Sequence, residues 1–143
     1  MVIDSSALVA IILSEPEMEV FANVVAENDI VRLSAASYVE AYMVLTMRGR
    51  LPNEDALDES LSRYGIQIET LTPEQAKLAT AAFTKYGKGR HPASLNYGDG
   101  FTYALAKATR EPLLFKGNDF SKNRPAPRRQ VPAVTTPSPS NAE

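Results

Sequence analysis

Two hydrophobic rhythms alternate along the chain: short apolar runs of three or four residues, and longer stretches in which apolar positions return every three to four residues. Residues 1–3 form an apolar run that stops at Asp4, and after Ser5-Ser6 a helical pattern occupies residues 7–13. Pro16 ends or bends that helix. Residues 17–28 resume a helical pattern, with Val20, Phe21, Val24 and Val25 on one face, and residues 30–33 read as a second strand. Ser34 is suited to cap a helix over 35–47, which stops near Gly49. Pro52 and Asn53 open a further helix reaching about Tyr64, and Ile66-Gln67-Ile68 alternates like a short strand.

Thr72-Pro73-Glu74-Gln75 combines a capping threonine, proline at the first helical position and a glutamine placed for a capping box. The helix it starts runs to about Tyr86, with Ala79, Ala82, Phe83 and Tyr86 as its expected buried stripe. Residues 87–98 read as loop, helix returns at Asp99 and continues to Thr109, and residues 112–115 form an apolar strand ending at Gly117. Strands alternating with helices predict βαβ units, so the class is α/β with a mostly parallel sheet. Beyond Lys122 half of the ten prolines, at 125, 127, 132, 137 and 139, lie among Ser, Thr, Ala and Asn. One domain over residues 1–122 and a disordered tail over 123–143 are therefore expected.

Composition narrows the chemistry. Zero cysteines removes disulfides and thiolate sites, and the single histidine, His91, rules out a multi-histidine metal cluster. Chemistry must rest on carboxylates, hydroxyls or amides. The longest apolar run, around Leu8 to Leu13, is far shorter than the roughly 18–20 residues that span a bilayer. No basic segment precedes it, so a soluble, cytoplasmic protein is expected. The net charge is −2, but the tail holds three arginines and one glutamate, which leaves the folded part at −4. An acidic protein is a poor binder of nucleic acid by charge alone, unless metal ions bridge its carboxylates to phosphates.

Four scattered carboxylates could supply such a site. Ligands in open α/β sheets bind beyond the carboxyl ends of the strands. Asp4 closes the first strand, Asp119 follows the last, and Asp99 heads a helix leading back into that last strand. Glu40 interrupts an apolar helix between Val39 and Ala41, where a charge is costly unless paired or bound to metal. Oxygen-only donors suit Mg²⁺ or Mn²⁺, and such a site supports phosphodiester hydrolysis. Each acid also has an ordinary alternative. Asp4 and Asp99 can cap helices, Glu40 follows Ser37 at capping-box spacing, and Asp119 in Gly117-Asn118-Asp119 can be a turn residue.

Three segments in order, MVIDSSALVAIILSEPE, LSAASYVEAYMVL and GRHPASLNYGDGFTYALAKATREPLLFKGNDF, resemble the PIN-domain ribonucleases, and in particular the VapC-type toxins of bacterial toxin–antitoxin pairs. The likeness spans about residues 1–122. It implies a three-layer α/β/α sandwich, Mg²⁺-dependent cleavage of RNA with Mn²⁺ as a substitute, a cognate antitoxin and a homodimer. Carried over by position, Asp4 and Asp99 would be the principal metal ligands and Glu40 and Asp119 would complete the quartet. Ser6 resembles the family's hydroxyl that supports the first carboxylate, and Asn96 is placed to brace the turn before Asp99. Lys88 and Arg90, with Lys85 and His91 nearby, could guide RNA toward the acids or simply line a solvated loop.

The chain departs from the family twice. Asn118 stands where many relatives carry a second acid, and SKNRPAPRRQ replaces a last edge strand, in which proline cannot donate to a ladder. Arg124, Arg128 and Arg129 in that segment read as a solvated basic tail that could touch RNA. Two other functions remain open on sequence: aspartyl phosphotransfer or phosphatase chemistry, and a catalytically weakened member acting through antitoxin binding.

Overall fold

In the computed structural model, residues 1–87, 89 and 95–117 are described. Four strands form one parallel sheet: β1 (Val2–Ile3), β2 (Val31–Ser34), β3 (Ile66–Glu69) and β4 (Leu113–Leu114), in the order β3-β2-β1-β4. Six helices connect them: α1 (Ser5–Ile12), α2 (Met18–Ala26), α3 (Ala35–Met47), α4 (Ala56–Tyr64), α5 (Pro73–Tyr86) and α6 (Tyr97–Thr109). The central strands are buried on both faces, as their near-continuous apolar sequences require of a covered parallel sheet.

Alternation along β1 sends its two residues to different cores. Ile3 joins Leu8, Leu33, Leu45, Leu57, Leu61 and Leu114 in the larger core, to which α1–α4 contribute. Val2 joins Leu105, Ala106, Leu113 and Phe115 in a smaller core under α6, with α5 packed outside α6 where Ala79 approaches Gly100. Helices therefore cover both faces of the sheet in three layers, α/β/α. Among the described residues no helix is long and apolar enough to cross a membrane.

Local signals explain most boundaries. Ser34 caps α3 by accepting from Ala36 N–H at 3.3 Å, and Thr72 caps α5 by accepting from Gln75 N–H at 3.1 Å. Gly65 ends α4 at φ +65°, a conformation that costs glycine little. Three expectations are corrected. The helix expected from Pro52 begins only at Ala56, because Asn53 Oδ1 accepts from Asp55 N–H and holds an Asx turn. In the expected buried stripe of α5 only Ala82 is buried, while Phe83 is 46% exposed. The last long helix starts at Tyr97, two residues before Asp99, because Asn96 is its cap. The tail 123–143, with Arg124, Arg128 and Arg129, lies outside the described residues, as does the segment expected to replace an edge strand.

Candidate active site

β1 stops at Ile3, and the next residue, Asp4, caps α1 from extended backbone at φ −80°, ψ 154°. Its Oδ2 accepts from Ser6 N–H at 3.0 Å, and its Oδ1 accepts from Thr102 Oγ1 at 2.5 Å. Thr102, fully buried on α6, spends its only hydroxyl proton there. The 3.2 Å contact between Ser37 Oγ and Thr102 Oγ1 is therefore a hydrogen bond donated by Ser37. A relay from α3 through α6 thus fixes one oxygen of Asp4 at the carboxyl end of the central strand.

Glu40 reaches the same place from α3. Its Oε1 accepts from Ser5 Oγ, and its carboxylate lies against Gly98, where a built Cβ would collide with it. Gly98 is needed for this close approach, since any side chain would displace the acid. Asp99 forms a full capping box on α6: its N–H donates to Asn96 Oδ1 at 2.9 Å, and its Oδ2 accepts from Asn96 N–H at 3.0 Å. The ordinary capping reading thus holds for both aspartates. It does not exclude metal binding, because an ionised carboxylate offers about four lone-pair sites.

Asp4, Glu40 and Asp99 line one cleft of about 360 Å³, whose lining also includes Asn96, Glu15, Arg48 and Lys116. There Lys116 Nζ lies against Glu15 Oε2 and 3.3 Å from Glu17 Oε2, and Arg48 Nη1 is 3.8 Å from Glu15 Oε1. The hydrogen bond to Glu15, supported by Glu17, holds the Lys116 pKa above its ordinary value against a smaller opposing effect of burial. Among the described residues no Lys, Arg or His pairs with Asp4 or Glu40. Asp4 is only 4% exposed, and among the described residues its carboxylate accepts from neutral donors, the Ser6 amide and the Thr102 hydroxyl. The all-oxygen donor set fits a hard divalent cation. Among the described residues no three acids stand close enough to chelate one ion as placed. The physical reason is local: Asp99 is turned onto its own helix cap and Glu40 onto Ser5.

Asp119, Asn118, Lys88, Arg90 and His91 lie outside the described residues. Ser6 supports Asp4 through its main-chain N–H, while its hydroxyl accepts from Lys116 N–H at 2.9 Å and ties the end of β4 to α1. Lys85 sits 5.2 Å from the centre of the Tyr86 ring and does not line the cleft. Thr102 and Ser5 are not singled out from sequence, where Ser37 enters only as a capping-box partner of Glu40. Their signal was periodic: Asp99 and Thr102 share a helix face, as do Ser37, Glu40 and Ala41.

A small parallel α/β sheet with acids gathered beyond its central strand is the architecture matched by the PIN domain family model over residues 1–124, and the chain belongs to that family. Within it, the chain is 47% identical over 120 residues to Ribonuclease VapC of Mycolicibacterium smegmatis, covering 84% of this chain and 93% of the relative. It is 48% identical over 120 residues to Ribonuclease VapC30 of Mycobacterium tuberculosis, covering 84% and 92%. The crystal structure of Mycobacterium tuberculosis VapC20, described as a Sarcin-Ricin loop cleaving toxin, superposes with a TM-score of 0.57. That likeness, at 14% identity over 76% of this chain and 82% of the other, shows the fold.

Proposed function

We propose that this chain is a metal-dependent endoribonuclease that hydrolyses RNA phosphodiesters and acts as the toxin of a toxin–antitoxin pair. One observation carries the reading: β1, α3 and α6 deliver Asp4, Glu40 and Asp99 to one cleft, and neither Asp4 nor Glu40 has a cationic partner among the described residues. Kinship with proteins named as VapC ribonucleases supports it. Asp4 and Asp99 would be the principal holders of Mg²⁺ or Mn²⁺, with Glu40 and Asp119 completing the set. When bound, such an ion supplies a more acidic water and offsets charge on the phosphate under attack.

The chain's own residues fix the acids in advance. Thr102 and the Ser6 amide orient Asp4, Ser5 holds Glu40, and Asn96 holds Asp99. Both Asp4 oxygens accept protein hydrogens, which counts against an aspartyl nucleophile free to attack phosphorus. Lys88 and Arg90 are assigned to guiding RNA. A cognate antitoxin, a homodimer and a cytoplasmic location are parts of the same reading, which kinship with the VapC ribonucleases supports.

The test is direct. Purified protein should cut RNA with Mg²⁺ or Mn²⁺ and stop with EDTA, and Asp4→Ala or Asp99→Ala should abolish cutting. Cleavage that persists unchanged in either variant refutes the assignment.

A further inference from the structure

We infer that Arg48 and Lys116 hold RNA backbone phosphates at the mouth of the acidic cleft, and that Glu15 engages their cationic heads until RNA arrives. The inference rests on the nuclease reading above and extends it to substrate contacts. A polyanion entering a cleft walled by Asp4, Glu40 and Asp99 meets repulsion that fixed cations must offset. Arg48 and Lys116 are the cations that line that cleft among the described residues.

They arrive from opposite sides. On α3 and its C-cap, Glu40, Val44 and Arg48 recur every four residues along the cleft wall, so the backbone at Arg48 stands a little over two turns, or about 12 Å of helix, beyond that at Glu40. Lys116 follows β4, and its main-chain N–H is pinned to Ser6 Oγ next to Asp4. Both heads meet at Glu15, but unequally. Lys116 is hydrogen-bonded to it, whereas Arg48 lies 3.8 Å away, too far for a hydrogen bond.

Arg32 provides the contrast within the same chain. It donates to both Glu111 and Glu69, the use expected of a guanidinium that serves the fold. Arg48, 58% exposed at the side chain, lines the cleft and makes no side-chain hydrogen bond among the described residues, which leaves its donor fork unspent. Such a fork matches a phosphate. The contact between the exposed Arg48 guanidinium and Glu15, at 3.8 Å, contributes little stability, so the placement of Arg48 is better explained by a ligand than by the fold.

The test follows binding of a labelled single-stranded RNA oligonucleotide to the full chain by fluorescence anisotropy across a salt series, with Ca²⁺ replacing Mg²⁺. Wild-type cleavage in Mg²⁺ is measured in parallel. Arg48→Gln and Lys116→Met should each make the negative slope of log K against log salt shallower by about 0.7, the amount expected for one lost single-strand phosphate contact. Melting temperatures should stay near wild type, and Lys116→Arg should keep the slope. Glu15→Gln should tighten binding severalfold, whereas Glu59→Gln, the same charge change on exposed α4, should not. Unchanged slopes in Arg48→Gln and Lys116→Met, with a wild type that binds and cuts RNA, overturn this inference and leave the nuclease reading standing. A wild type whose RNA binding depends on both cations but which cuts nothing overturns the nuclease reading and keeps the phosphate contacts.

Discussion

Arg32 on β2 stands between Glu69 on β3 and Glu111 just before β4 and donates to both, whereas among the described residues Asp4 and Glu40 receive only hydroxyl and amide hydrogens. The two groups of acids use the same side-chain chemistry. Around Arg32 the charges are complementary within the chain. Hydrogen bonding to Glu111, then to Glu69, holds the Arg32 pKa above its ordinary value. Burial pushes the Glu111 carboxyl upward, but hydrogen bonds from Arg32 and the Met1 amine outweigh it, and the pKa settles below the usual value. Beyond β1 no cation pairs with Asp4 or Glu40 among the described residues, although Asp4 is more deeply buried than either glutamate. A buried carboxylate left with neutral donors is costly, and its cost is relieved by a cation from outside. The first group serves the fold, and the second is the one we propose receives a cation.

The comparison breaks most readily at Asp4. Asp4→Asn keeps the shape and an acceptor for Thr102 but removes the charge, so cleavage should fall by about a thousandfold, an effect of the size that metal-ion stabilisation supplies. Its melting temperature without metal should hold or rise, and a clear fall would place Asp4 with the structural acids. Gly98→Ala should follow, with a roughly 10- to 100-fold loss of activity as the new Cβ displaces Glu40. Near-wild-type kinetics in that variant would remove Glu40 from the site. Thr102→Val deletes the donor to Asp4 Oδ1 and should weaken Mn²⁺ binding by about tenfold, read by calorimetric titration.

The smallest effect belongs to the other group. Glu111→Gln should leave cleavage unchanged and lower stability by on the order of 1 kcal/mol at neutral pH, measured by urea unfolding. The sign follows from its depressed pKa. The contribution is present above the ordinary value near 4.5 and is lost as pH falls through the lower folded value, so the loss belongs below about pH 4.5. Wild type should lose part of its stability there, and Glu111→Gln should show a flatter acid limb. An identical acid limb in the two proteins would count against the pairing.

Much of this was legible in the sequence because it is local. Ser34 before an apolar-periodic stretch gave α3 with its observed bounds, and an apolar run halted by Asp4 placed that acid at a strand end. Family-like segments then joined Asp4, Glu40 and Asp99. Contacts made across the fold were not legible. Thr102 meets Asp4 across 98 positions, and Ser5 meets Glu40 across 35, so only packing of α3 and α6 around β1 reveals them. Phe83 misled because helical spacing identifies a face without saying whether a neighbour covers it. The capping box at Asn96 was hidden for a different reason: its third position is aspartate where glutamate or glutamine is the usual signal.

Thermal unfolding of the RNA-free protein across a Mn²⁺ titration tests most directly whether the acids beyond β1 await a cation. The wild-type melting temperature should climb with Mn²⁺, the gain reaching about 2.7 kcal/mol at a hundredfold excess over Kd, while Asp4→Asn stays flat. A wild-type melting temperature indifferent to Mn²⁺, or an equal rise in Asp4→Asn, would contradict it.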